Sequence, residues 1–479
     1  MICVSLMSGD LEQLRKDVAL AASVADLIEI RLDYLPDTAD LGGILAKRPK
    51  PVIVTYRRVE DGGRYGGDDR VRIGALQKAA GQGADYIDIE LDAAAELREF
   101  SPKLIVSYHN FKETPRDLLA IHAEAVEAGA HIVKIAVMAN DICDNLRVFD
   151  LLKRAETPTA AFCMGELGLI SRIIGRKFGS KITYAALANG KETAAGQLPA
   201  AELRHLYRYD RIEATTAIYG VIANPVAHSM SPAIHNAAFA QTGIDAVYVP
   251  LKVEEPVVFV NSFKAIDAQG YSVTIPHKET IMPAMDEIDP VAQSIGAINT
   301  VVNRGGRLIG YNTDYLAAIG ELEKVTPLEG KRAVMIGAGG GARAIAFGLK
   351  RKNVDLILTD IATDKARKLA EAVGCTWVEQ SKLNKPDADI LLNASPVGMH
   401  PNVDQTPIPA AWLRSAMVVF DIVYNPIETR LLREARLAGC ATVSGFNMFV
   451  SQAVAQFELW TGRPAPREAM ADVVRKKLA

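Results

Sequence analysis

Short apolar runs rich in valine and isoleucine recur through the first two hundred residues: ICVSLM, LIEIRL, PVIVTYR, YIDIEL, LIVSYH, IVKIAV, TAAFCM and KITYAA. Most are separated by stretches of helical period, such as DLEQLRKDVALAASV and RDLLAIHAEAVEAGA, so strand and helix alternate. Runs that are apolar throughout need cover on both faces, which parallel strands flanked by helices provide. Eight of them predict a closed parallel (β/α)8 TIM barrel, with an open doubly wound sheet as the alternative. The pattern changes after Arg211. Residues 214–249 read as a strand, a proline-flanked HSMSP loop and a helix; YSVTIPHK and then a glycine-rich element follow, which puts a boundary near Glu213. The run AVMIGAGGGARAIAFGL, residues 333–349, reads as a strand, a tight glycine turn and a helix, and DLILTD as the next strand.

The chain has 479 residues, 49% hydrophobic and 23% charged. That length predicts two or three domains of ordinary globular composition. A formal net charge of -3, with no long basic run, disfavours a nucleic-acid partner and leaves small molecules as the expected ligands. The five cysteines are scattered without a CxxC pair, so neither a disulfide framework nor a metal cluster is indicated, and a reducing cytoplasm is expected. The N-terminal apolar run is short and lacks a preceding basic residue, unlike a signal peptide. The longest stretch free of Asp, Glu, Lys and Arg, 214–244, is interrupted by Asn224, Pro225, His228 and Ser229 and does not read as a membrane span.

Chemistry in such barrels is built at the C-terminal ends of the strands, and those ends are crowded here: Glu29, Arg31 and Asp33, then Arg57, His109 and Met164, with Lys134 inside HIVKIAVMA. A lysine within a Val/Ile run is expensive to bury charged. It is therefore either paired, with Glu29 as the obvious partner, or held as the neutral amine that Schiff-base chemistry requires. His109, on the neighbouring strand, makes a base and nucleophile pair geometrically possible.

The motifs EIRLD (29–33), T-Y-R followed by GG (55–63), VSYHNF (106–111), KIAVM (134–138), GLISR (168–172), FGS (178–180) and AAGQL (194–198) make the first half resemble the type I 3-dehydroquinate dehydratases. The resemblance implies that Lys134 forms an imine with the substrate ketone, and that His109 removes the neighbouring proton and returns one to the departing hydroxyl. It gives Glu29, Arg31, Arg57, Arg172, Thr193 and Gln197 to substrate binding. Asp61 stands where that family usually has Glu and would orient His109, and the lid hydroxyl is Thr193.

In the second half the glycine turn offers helix N–H groups to a pyrophosphate, and Asp360 lies where a carboxylate meets the adenosine ribose; a structural turn with an N-capping Asp is the alternative. NPVAHSMSPAIHN, SVTIPHK, GAINT, GYNTD, GAGGGAR, NASPVGM, DIVYNP and GFNMFVSQA resemble, in order, the shikimate dehydrogenase pattern. The resemblance implies a catalytic pair of Lys278 and Asp314. Substrate contacts would come from Ser229, Ser231, Thr274, Asn299, Tyr424 and Gln452, and cofactor contacts from Gly337, Gly339, Gly340, Gly341, Ala342, Asp360 and Gly445. Ser272 replaces an Asn common in that family. The implied domains are a barrel over 1–213, a substrate lobe over 214–313 completed by 444–479, and a Rossmann lobe over 314–443. The implied function is dehydration of 3-dehydroquinate followed by reduction of 3-dehydroshikimate to shikimate. A second half acting on quinate and a metabolite-sensing regulator are the alternatives. Most shikimate dehydrogenases prefer NADP and carry Asn-Arg-Thr after the second Rossmann strand. Asp360, Ile361 and Ala362 stand there instead and imply NAD in preference to NADP, with Lys365 and Arg343 as residual phosphate contacts.

Overall fold

All eight apolar runs of the first half are strands in the structure, a computed structural model that describes residues 1–36, 39–97 and 102–478. They are β1 (Ile2–Leu6), β2 (Leu27–Arg31), β3 (Val52–Thr55), β4 (Tyr86–Glu90), β5 (Lys103–Asn110), β6 (Ile132–Met138), β7 (Thr159–Met164) and β8 (Thr183–Ala185). The pairing is parallel and runs in the order β7-β6-β5-β4-β3-β2-β1-β8. The two ends of this ladder are stitched where the Lys181 N–H donates to the Thr159 carbonyl at 2.8 Å, which leaves a nearly closed barrel. The helix Leu11–Ala21 shows why the intervening segments coil. Asp10 caps it by accepting from the Gln13 N–H, and Leu14, Val18 and Ala21 make one buried stripe.

Side chains alternate across a strand, so each strand sends every second residue into the barrel. Cys3, Leu27, Ile53, Ile105, Ile132, Ala160 and Ile182 pack there as an apolar floor. Two residues further along the strands the inward positions turn polar: Ser5, Glu29, Thr55, Asp88, Ser107 and Lys134, all buried. The register places Ser5 beside Glu29 and Ser107 beside Lys134.

The chain divides into two compact units, residues 1–218 with 245–253 and 262–267, and the remainder. The second half contains a mixed sheet of β9 (Ala217–Ala223), β10 (Ala246–Lys252), β11 (Gly270–Val273), β12 (Glu287–Ile288), β13 (Thr300–Arg304) and β14 (Arg307–Tyr311), in the order β10-β9-β11-β13-β14-β12. A second sheet is parallel throughout: β15 (Arg332–Ile336), β16 (Asp355–Thr359), β17 (Thr376–Trp377), β18 (Ile390–Asn393), β19 (Val418–Asp421) and β20 (Ala441–Ser444). Its order, β17-β16-β15-β18-β19-β20, is the doubly wound one whose reversal between β15 and β18 opens a nucleotide crevice. Alternation along β15 sends Ala333 and Met335 into one helix-covered core and Val334 into the other. Among the described residues no helix is long and apolar enough to cross a membrane.

The helix Gly445–Thr461 returns to the mixed sheet, where the Trp460 indole donates to the Val301 carbonyl at 3.0 Å. His235, on the helix Ser231–Thr242, lies edge-on to Trp460 at 5.0 Å between ring centroids. Burial pushes its imidazole down to about 3. The unfolded chain therefore binds a proton at His235 near pH 6.5 that the folded one refuses, and stability falls as pH drops below that value. From pH 6.5 to 5 the second unit should lose roughly 2 kcal/mol through this group. His235→Gln should flatten the fall, and urea unfolding followed by tryptophan fluorescence checks it, since Trp377, Trp412 and Trp460 all lie in the second half. Equal pH slopes in the two proteins would remove His235 from the account.

Candidate active sites

At the C-terminal end of the barrel strands a cavity of about 490 Å3, its open mouth included, is lined by all eight residues expected there: Glu29, Arg31, Arg57, His109, Lys134, Arg172, Thr193 and Gln197. Lys134 Nζ lies 2.8 Å from Asp88 Oδ2 and 3.4 Å from Glu29 Oε1, and stands over the Tyr184 ring at 4.1 Å. The ammonium is thus paired with two carboxylates, of which Glu29 was expected and Asp88 was not. Glu29 also accepts from Ser5 Oγ and, at 2.8 Å, from Thr55 Oγ1. Burial raises the pKa of both acids, yet the neighbouring cations prevail and hold them below the ordinary range, Lys134 chiefly for Glu29 and Arg57 chiefly for Asp88.

His109 Nδ1 is buried and has no hydrogen-bond partner among the described residues, and its ring stacks on Phe111. Burial first, then the positive charges of Arg57 and Lys134, push the imidazole well below 6.5. It is a neutral base at physiological pH. The orienting contact expected from Asp61 is absent. Its carboxylate takes the Arg58 Nε at 2.9 Å, because Asp is one methylene shorter than Glu and a guanidinium stands within its reach.

The three arginines differ in what they leave open. Arg31 is held by Asp33 at 2.8 and 2.7 Å, and Arg57 by Asp88 at 2.6 Å, Glu90 at 2.7 Å and Ser107 at 2.9 Å. Arg172 lies over the Phe162 ring and donates from Nη1 to the Tyr184 carbonyl at 3.3 Å, leaving Nε and Nη2 buried without partners among the described residues. Burial lowers it to about 10, so it stays charged and offers two donors to a planar anion. Thr193 Oγ1 and the Gln197 amide bond each other at 2.8 Å on the rim. Sequence reasoning missed Asp88, Glu90 and Arg72. The first two were legible in YIDIEL, where acids alternate with isoleucines and so share the inward face.

In the second half Lys278 Nζ pairs with Asp314 Oδ2 at 2.5 Å, both side chains partly exposed. Asp314 is in the first turn of the helix Thr313–Glu323, whose start is held by Asn299. Asn299 Oδ1 accepts from the Thr313 N–H at 2.7 Å, and Asn299 Nδ2 donates to Thr313 Oγ1 at 3.0 Å. Asn299, expected at the substrate, fixes the helix turn that carries the Asp314 carboxylate. Ser229 Oγ accepts from the Ser231 N–H at 3.3 Å, and the Thr274 N–H is tied to the Ile222 carbonyl at 3.0 Å. Tyr424 stacks on Phe449 at 4.4 Å, and the Gln452 amide donates to the Phe449 carbonyl, which brings these two expected contacts together. Ser272 donates to Gln456 Oε1 at 2.8 Å, so the departure from the commoner Asn serves the seating of the helix Gly445–Thr461.

The glycine turn fits a dinucleotide. Gly337 has φ +116°, and a Cβ there would lie 2.5 Å from the Ala394 backbone. Gly339 and Gly340 face open space, and the helix Gly340–Arg351 begins at Gly339 with Ala342 buried behind it. Gly445 is demanded by packing, since its Cβ would meet the Ile422 carbonyl at 2.3 Å. Asp360 accepts from the Ala338 N–H at 2.8 Å and the Ala362 N–H at 2.7 Å, binding the glycine turn to the end of β16. The next helix is capped at Ala362 without a side chain, so the N-cap reading of Asp360 falls. Ile361 is 88% exposed. Arg343, considered as a phosphate contact, donates instead to the Ile295 carbonyl.

Models of known families match along the chain in the same order: type I 3-dehydroquinase over residues 2–214, the shikimate dehydrogenase substrate binding domain over 221–301, and the shikimate 5'-dehydrogenase C-terminal domain over 445–475. The bifunctional 3-dehydroquinate dehydratase/shikimate dehydrogenase, chloroplastic, of Arabidopsis thaliana is 41% identical over 508 residues, 99% of this chain and 84% of that protein. A shikimate dehydrogenase solved in complex with NADP+ aligns with TM-score 0.53 at 38% identity, covering 56% of this chain and 97% of that one. The enzyme of Listeria monocytogenes, solved with shikimate and NAD, aligns with TM-score 0.51 at 33% identity over 54% of this chain and 96% of that one. The family models match both halves in order and one bifunctional relative spans almost the whole chain, so the chain belongs to the family of bifunctional 3-dehydroquinate dehydratase/shikimate dehydrogenases.

Proposed function

We propose that two separate sets of residues carry the two activities, Lys134 with His109 for dehydration and Lys278 with Asp314 for reduction. The Lys134 amine adds to the ketone of 3-dehydroquinate and water leaves, giving an iminium. That cation draws electrons from the neighbouring C–H bond, neutral His109 takes the proton, the same histidine protonates the departing hydroxyl, and water then hydrolyses the product iminium, releasing 3-dehydroshikimate and the free Lys134 amine. Arg172 holds the substrate carboxylate with its two open donors. The carrying observation is that the amine, the neutral base and the uncommitted guanidinium line one cavity. In the second half a nicotinamide dinucleotide supplies hydride chemistry. Lys278 donates a proton to the ketone oxygen of 3-dehydroshikimate, and Asp314 steadies the ammonium. The domain limits on this reading are 1–213 for the dehydratase, 214–313 with 444–479 for the substrate lobe, and 314–443 for the nucleotide lobe. The quinate and sensor alternatives are not favoured, since the relative that spans almost the whole chain is a bifunctional dehydratase/shikimate dehydrogenase. Scattered free cysteines support a reducing cytoplasm.

The cofactor of this reading is NAD in preference to NADP. The Asp360 carboxylate closes β16 where the adenosine ribose would lie, and exposed Ile361 brings no charge to offset its repulsion of a 2′-phosphate. A like-charge contact of this kind is worth about 1–2 kcal/mol at a wet site, roughly a tenfold preference in kcat/KM. Comparing kcat/KM for shikimate oxidation with the two cofactors tests it, and Asp360→Asn with Ile361→Arg should move the ratio towards NADP. A wild-type protein that favours NADP overturns the preference.

A further inference from the structure

We infer that Asp88 is a positioning residue for dehydration: with Oδ1 locked to Arg57 and Oδ2 on the Lys134 amine, it fixes where Nζ stands and how readily the amine is freed to attack the ketone. The inference rests on the reading of Lys134 as the imine-forming group. A lysine head on four rotatable bonds needs an acceptor to hold one position. Asp88 Oδ2 lies nearer to Nζ than Glu29 does, 2.8 against 3.4 Å, and its side chain is wholly buried.

Asp88 is itself clamped from behind. Arg57 bridges it, at 2.6 Å, to Glu90, at 2.7 Å. Glu90 is gripped in turn by Arg72, a fully buried residue of the outer helix Asp69–Gly81, at 2.5 Å. Charge alternates along this line from the barrel wall to the reacting nitrogen, so the position of Nζ is referred to an element outside the cavity. The groups that face Nζ are Glu29 from β2, Asp88 from β4 and the Tyr184 ring from β8. Cys3 from β1 lies near enough to feel the Lys134 charge, and burial keeps its thiol protonated. Arg57, two residues past the end of β3, holds Asp88 through its other oxygen, and His109 from β5 lines the same cavity. Removing the Asp88 charge thus leaves Nζ with one carboxylate, and a cation with fewer anionic neighbours releases its proton at lower pH.

The test uses the full chain. Borohydride trapping with 3-dehydroquinate is followed by intact mass across pH, beside dehydratase kcat and KM, with shikimate oxidation as the measure of folded enzyme. Asp88→Asn should move the pH of half-maximal trapping down by about one unit. Its kcat should fall on the order of tenfold to a hundredfold, because the amine is less well placed, while KM changes less than about threefold. Asp88→Glu keeps the charge but displaces Nζ, and should show the wild-type trapping midpoint with lowered kcat. A wild-type midpoint in Asp88→Asn, or a loss equal at every pH, overturns the inference. If Asp88→Asn does not accumulate folded, wild-type kcat in Asp88→Glu overturns it as well. Failure of the wild-type protein to trap substrate on Lys134 defeats the underlying reading instead, and is seen in the same experiment.

Discussion

Lys134→Ala should lower dehydratase kcat/KM by more than about a thousandfold, and borohydride with substrate should then add no mass to the chain. Lys134 is the one lysine among the described residues lining the cavity, so the substitution removes the nucleophile and, with it, the iminium that makes the neighbouring C–H acidic. No other lining group can form that bond. Neutral His109 remains, but it faces a proton of ordinary ketone acidity. Truncation also leaves buried Glu29 without its ion-pair partner, while Asp88 keeps Arg57, and breaking a buried pair by removing one partner costs about 3–5 kcal/mol. Circular dichroism and shikimate oxidation must therefore be recorded beside the dehydratase rate. A folded Lys134→Ala protein that dehydrates at the wild-type rate would end the Schiff-base reading.

Lys278→Ala should lower kcat for 3-dehydroshikimate reduction by about a hundred- to ten-thousandfold, the range of a lost general acid. Dehydration and the KM for cofactor should stay close to wild type. Lys278 Nζ lies 2.5 Å from Asp314, and Asn299 locks the helix turn that carries Asp314, so on the proposed reading donor and counter-charge are in register before substrate arrives. Separate steady-state assays of the two half-reactions check the claim, and a folded Lys278→Ala protein silent in both would defeat the separation of sites.

Much of this was legible because two periodicities rarely mislead. Eight Val/Ile runs set between helical stretches specify parallel strands that must be covered on both faces, and all eight became strands. The lysine in IVKIAV, the histidine of VSYHNF and the glycine turn were conspicuous because each breaks a local pattern. What stayed hidden depends on closure. Asp88 and Glu90 could be seen to share a face, yet only the curl of β3 to β6 decides that Asp88 meets Lys134 while Glu90 meets Arg57 and Arg72. Asp61 shows the same limit from the other side. Its position in the motif suggested a contact with His109, but one missing methylene and the nearness of Arg58 redirected it. Arg343 lay in the right turn for a phosphate, and its commitment to the Ile295 carbonyl is a long-range bond that no local pattern announces.

The polar storey above the apolar floor sets the barrel's scope for change. Glu29, Asp88 and Glu90 balance Arg57, Arg72 and Lys134 in buried positions, and replacing such groups together by well-fitted aliphatic side chains is commonly neutral or stabilising. Substitutions selected for heat resistance alone would therefore accumulate in this layer, and a more robust barrel with no dehydratase turnover is the expected end point of such drift. The floor beneath, made of Leu27, Ile53, Ile105 and Ile132, carries none of the reacting groups, which makes volume-conserving repacking there the place to gain thermal tolerance while keeping a working enzyme.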